Sequence, residues 1–188
     1  MNRLLAVLVV ATVAGCPSLD HTQGLQTTGS PDAFLDYNQF VCTVEPVLIR
    51  RCSYLGCHGN ADHALRLYSP GKLRQVDDGT REGRDARLTA AEVELNFESV
   101  SGLVYAASTS ERAAADVQHI PLLGKPLKAS FGGAEHHGVG IFPVYPAATL
   151  ADDADWQALV SWIGGAKQSS PVDTDCQTVF TMMGLTPR

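Results

Sequence analysis

Apolar and polar positions along the chain predict a short leader, an unfolded stretch and then a helical domain. Leu4 to Val13 is a continuous apolar run, preceded by Met1-Asn2-Arg3 and closed by Val13-Ala14-Gly15-Cys16. Such a run is too short to span a bilayer, which takes about 20 residues. Residues 17 to about 35 are polar, rich in Gly, Ser, Thr and Pro, and without apolar period, which predicts a flexible tether. Val44 to Arg51 predicts a helix with Pro46 in its first turn and Cys52 at its end. Glu92 to Ala107, with Phe97, Val100, Leu103, Val104 and Tyr105, predicts a second helix. Ala151 to Ala166 predicts a third: Trp156, Leu159, Val160 and Ile163 share one stripe, Thr149 and Asp152 offer a capping-box-like start, and Gly164-Gly165 a stop. The expectation is an all-α domain with long loops.

Composition sharpens this picture. With 45% apolar and 18% charged residues in 188, the chain suits one globular domain and excludes collagen-like, low-complexity and multi-span membrane architectures. Aromatic residues are only 7% against 17 Gly and 10 Pro, so the loops need something besides aromatic packing to hold them. Fourteen basic residues against 20 acidic give a net charge of −6, without the broad basic face that nucleic acid requires.

The N-terminal pattern resembles a bacterial lipoprotein signal with its lipobox. The resemblance implies a signal peptide over 1–15, a lipidated tether over 16–35 and a folded domain over 36–188, with cleavage before Cys16 and acylation of that cysteine. The protein is then lipid-anchored in the bacterial cell envelope, and Pro17, not an aspartate, after Cys16 favours the outer membrane. Export places the remaining thiols, Cys42, Cys52, Cys57 and Cys176, in an oxidising compartment.

Two of them belong to Cys52-Ser53-Tyr54-Leu55-Gly56-Cys57-His58-Gly59. Two cysteines, the second directly followed by histidine, form the arrangement for covalent haem attachment, in which thioethers clamp one porphyrin edge and the histidine is directed onto iron. The gap is four residues, not the usual two, so the loop must bulge, and Gly56 is the residue expected to permit it. A Cys52–Cys57 disulfide beside an idle histidine, or zinc held by Cys52, Cys57, His58 and an unidentified fourth ligand, are the competing readings.

The run Val44-x-Pro46-Val47-Leu48-x-x-Arg51-Cys52…Gly56-Cys57-His58-Gly59, then Leu65-Arg66-Leu67, then Ala151 to Ala166, resembles the monohaem cytochrome c domains of planctomycetes and myxobacteria. The resemblance covers roughly residues 40–166. It implies a cytochrome c-like all-α domain wrapped around one haem c, attached through Cys52 and Cys57, with His58 as proximal ligand and the last helix crossing the first. Methionine occurs only at positions 1, 182 and 183, none of them between the motif and the last helix, so histidines are the better candidates for a distal ligand: His63, five residues past His58, belongs to the proximal side, and His119, His136 and His137 lie in the right interval. The resemblance maps it onto His137, with His136 as the alternative, in the glycine-rich loop 132–140. With Cys16 lipidated and Cys52 and Cys57 on haem, Cys42 and Cys176 are left to pair. The tail from Gln168 onward reads as polar and surface-lying.

The expected function is electron transfer without catalysis, in the envelope, to redox partner proteins. Loss of Arg3 with the signal makes the net charge still more negative than −6, which points to a partner with a basic docking surface. Two alternatives belong to other classes: a haem enzyme or a gas or peroxide sensor with an open distal site, and a haem-free, disulfide-stapled envelope binding module.

Overall fold

The computed structural model describes residues 35–136, 140–165 and 174–188. Cys16, almost all of the tether and His137 lie outside the described residues. Leu35, the last residue assigned to the tether, is buried in the core.

The first helix runs unbroken over 37–51 as α1 (Tyr37–Gln39), a π-helical turn (Phe40–Val44) and α2 (Glu45–Arg51). The sequence pattern starts this helix near Pro46, whereas the chain is helical well before it. Pro46 has no N–H for the carbonyl four residues back, and its ring crowds that carbonyl. The helix absorbs this by widening one turn: the Glu45 N–H reaches back to the Phe40 carbonyl. Tyr37, Phe40, Val41, Val44 and Leu48 are thereby buried along one face.

Short helices α3 (Arg81–Asp85), α5 (Thr109–Ala113) and α6 (Pro121–Gly124) punctuate the long loops. Between them α4 (Ala90–Ser101) starts two residues before the predicted position, because Thr89 and Glu92 form a complete capping box, and it gives way to turns after Ser101. The described residues contain no strand, only one bridge between Leu127 and Phe142.

The predicted third helix is α7 (Ala154–Ile163). Its cap is not Thr149. The Thr149 hydroxyl does bond Asp152 at 2.6 Å, but in a turn ahead of the helix. Asp153 caps α7 instead, its buried carboxylate accepting from the N–H groups of Asp155 (3.0 Å) and Trp156 (3.1 Å) and also from that of Val144, which ties the preceding loop to the helix. The buried stripe is Trp156, Leu159, Trp162 and Ile163, with Val160 only partly covered. Trp162 is the largest fully buried side chain, and the four-residue spacing pattern passed it over.

Helix α7 runs past the first helix in the opposite direction. At one end Arg51 Nε pairs with Asp155 at 2.8 Å and Arg50 shares the same carboxylate. At the other, Gln39 donates to the Ser161 hydroxyl at 3.2 Å and the Trp162 indole N–H to the Asp36 carbonyl at 2.9 Å. The tail is not a loose polar segment: it forms α8 (Thr174–Met183), which buries Phe180. Cys176 of α8 is disulfide-bonded to Cys42, with Cα atoms 5.5 Å apart. Cys42 therefore lies inside the first helix, in its π turn. Closing a loop of 134 residues constrains the unfolded chain by about 4–5 kcal/mol in the chain-entropy account.

The few aromatic side chains are concentrated where these helices meet. Phe97 of α4 lies edge-on to Tyr37 and Phe40, centroids 5.1 and 5.2 Å away, and Phe40 packs on Trp162 at 5.5 Å. A small aromatic count thus still builds one continuous core, contrary to the expectation from composition.

Two buried carboxylates hold the loop 69–89 and the helices together, and they titrate oppositely. Burial works against charge on Glu92, but Arg74 (Nε to Oε1, 2.8 Å) and the N–H groups of Thr89 and Gln75 outweigh it and hold its pKa at about 2. Glu45 has no cation. Burial pushes its pKa up to about 8, with Glu92 adding to the effect, although the Asn96 amide donates to it at 2.7 Å. Because the native state holds the Glu45 proton above the ordinary carboxylate range, stability is lost as pH rises from about 4.5 to about 8. Glu45→Gln, which keeps the acceptor for Asn96, is expected to stabilise the fold by a few kcal/mol at pH 8 and hardly at all at pH 4.5. Urea melts at the two pH values check this; equal effects at both would remove the assignment.

Candidate functional site

Helix α2 ends at Arg51 and delivers Cys52, after which the chain makes a tight bulge. The Cys57 and Gly59 N–H groups both donate to the Tyr54 carbonyl (2.8 and 3.0 Å), and the His58 N–H donates to the Cys52 carbonyl (3.1 Å). The glycine this bulge requires is Gly59, not Gly56. A Cβ on Gly59 would lie 2.0 Å from the Ser53 carbonyl oxygen, whereas one on Gly56 would meet nothing within 4 Å. The four-residue gap closes by folding residue 59 onto residue 53, so the tight approach falls after the histidine.

Cys52, Cys57 and His58 line one side of a cavity of about 270 Å³, near the lower end of small-molecule site sizes. Leu48, Leu103, Leu122, Phe142 and Leu159 make its walls predominantly apolar. The cysteines are not joined to one another. Burial pushes the Cys52 thiol up to about 12, with Cys57 adding to this and Arg51 opposing it, so Cys52 remains protonated near neutral pH. No three ligand atoms from Cys52, Cys57, His58, His63 and His136 converge; among the described residues only Glu111, Asp116 and His119 do so.

The His58 ring is held in place. Its Nδ1 is 3.0 Å from the Leu65 carbonyl oxygen, so the ring donates from Nδ1. The adjoining chain is fixed as well, by the Leu67 N–H donating to the His58 carbonyl at 2.7 Å.

His136 lines the same cavity, its ring within 9° of parallel to His58 and 5.5 Å away between centroids. Backbone bonds lock its segment: Ala134 N–H to the Gly124 carbonyl (2.9 Å), Glu135 N–H to Leu127 (3.2 Å), His136 N–H to Lys125 (2.8 Å). Gly132 takes φ +87°, and a Cβ on Gly133 would lie 2.0 Å from the Leu127 carbonyl oxygen, so glycine is required at both. His63 is the third cavity imidazole, 6.0 Å from His58.

The other candidates lie elsewhere. His119 is on the surface, bonded to Asp116 at 2.9 Å and raised in pKa by Asp116 and then Glu111. Met182 is exposed on α8, Met183 packs against the core, and neither lines the cavity.

Among the described residues, the fold and site define an α-helical domain with an apolar cavity that collects two free cysteines and the imidazoles of His58, His63 and His136. No protein family, curated protein or solved structure matches the chain.

Proposed function

We propose that this chain is a monohaem c-type cytochrome that carries single electrons in the bacterial envelope, anchored by lipid on Cys16. The observation that carries the reading is the convergence, in one apolar cavity, of the unpaired Cys52 and Cys57, His58 oriented through Leu65, and His136 beside it. The donor set suits haem: each thiol can add across one vinyl group, its sulfur bonding to carbon and its proton passing to the neighbouring carbon, with nothing lost or oxidised. Haem bound there supplies a one-electron iron couple. Cys52 and Cys57 would retain it, and His58 and His136 would be the imidazoles that hold its iron. Leu48, Phe142 and Leu159 exclude water from that volume. Cys57 is exposed, leaving the attachment edge open to redox partners in the envelope. No helix among the described residues is long and apolar enough to cross a membrane, so the anchor in this reading is the lipid.

Expression in a host competent for cytochrome c maturation tests the proposal. The reduced protein should show sharp α and β bands, and acid–acetone treatment should leave the haem on the polypeptide. Absence of a Soret band, or full extraction of the haem, would overturn it.

A further inference from the structure

Among the described residues, the walls of the cavity carry two cations, Arg51 and Lys125, and no carboxylate. A purely apolar ligand gains nothing from either, since a cation beside apolar surface must keep its own water. The two are not equivalent. Arg51 precedes Cys52 and its Nε is already bonded to Asp155 at 2.8 Å, so it belongs to the edge where the cysteines are and to the contact between α2 and α7. Lys125 follows α6, on the wall that carries His136, and its backbone carbonyl accepts the His136 N–H. Its ammonium has no ion pair or hydrogen bond among the described residues.

We propose that Lys125 is the anion-binding residue of this site and pairs with a haem propionate carboxylate. The inference rests on the haem reading above. Haem bears its two carboxylates on the edge opposite its vinyl groups. Attachment at Cys52 and Cys57 would turn the carboxylates away from the cysteine edge to which Arg51 belongs, and the other cation of the described lining is Lys125. A compact ammonium on a flexible stem reaches such a group without having to be preformed, which suits a side chain that is exposed at the mouth. Lys125 is in this sense a positioning residue: it biases the protonation of a carboxylate that in turn feels the charge on the iron.

The test uses the haem-loaded protein and compares Lys125→Gln, Lys125→Arg and Arg51→Gln with the parent. Two readouts apply: the resonance Raman propionate bending mode, and the pH dependence of the midpoint potential. Lys125→Gln should shift the bending mode and move the titration step of the potential upward by about one pH unit, as a carboxylate losing its cation does. Lys125→Arg should restore both, and Arg51→Gln should leave both in place. An unchanged mode and titration step in Lys125→Gln, or the same shift produced by Arg51→Gln, overturns the assignment while the haem remains. A parent protein without a Soret band removes the haem reading and this inference together.

Discussion

His136→Ala is expected to convert the haem-loaded protein from low-spin to high-spin and to open a site for carbon monoxide, while His137→Ala leaves the spectrum unchanged. The family resemblance implies His137, which lies outside the described residues. His136 is the ligand of this proposal because it is pinned through its own N–H to the Lys125 carbonyl and lines the cavity 5.5 Å from the His58 ring. Axial ligation by two imidazoles lacks the thioether that favours ferrous iron, so the parent protein should have a potential below that of His/Met cytochromes. His63, the remaining cavity imidazole, lies five residues past His58 and is tied to the same segment, its N–H donating to the Asn60 carbonyl at 3.4 Å. Optical and electron paramagnetic resonance spectra of both variants decide the matter. A low-spin His136→Ala beside a high-spin His137→Ala would reverse the assignment.

Arg74→Met is expected to cost about 3–5 kcal/mol, the range for breaking a buried ion pair. Against a total stability of about 5–15 kcal/mol for a domain, that leaves the variant close to unfolding. The guanidinium is buried with Glu92 and donates in addition to the carbonyls of Gly83 (2.6 Å), Arg84 (3.1 Å), Ala86 (2.9 Å) and Arg87 (3.1 Å). Removing it strands a carboxylate and several carbonyls at once, in a loop with little apolar surface of its own. The Glu92 pKa of about 2 adds a pH signature: its stabilising effect is complete above the unfolded value near 4.5 and is lost as pH falls toward 2. The variant should lose that acid-side dependence. Arg81→Met, at an exposed i,i+4 pair with Asp85, should cost under about 0.5 kcal/mol and serves as the control. Urea melts of the two variants measure the difference; a loss below about 1 kcal/mol for Arg74→Met would show that the network is solvated.

What the sequence determined by itself was local. The spacing of apolar residues placed α4 and α7, the spacing of Cys52, Cys57 and His58 singled out three residues that line one cavity, and counting cysteines paired Cys42 with Cys176, a bond the structure contains. Each of these depends on residues near one another in the chain, or on an inventory small enough to exhaust. The Thr89 and Glu92 capping box was equally legible and went unread. Tertiary structure decided everything that depends on which surfaces meet. Pro46 reads as a helix start, and only packing of Phe40, Val41 and Val44 into the core makes a widened turn ahead of it worthwhile. The tail reads as polar because its apolar residues, Val179, Phe180, Met182 and Met183 among them, are outnumbered by polar ones, and it becomes a helix because Cys176 and Phe180 face the same core. Gly59 matters more than Gly56 because Ser53 folds back onto it, a contact invisible in the order of residues. His136 is one of several histidines past the motif, and no period in the sequence singles it out; the backbone bond from His136 to Lys125 fixes its segment, and the fold brings its ring beside His58 in the cavity.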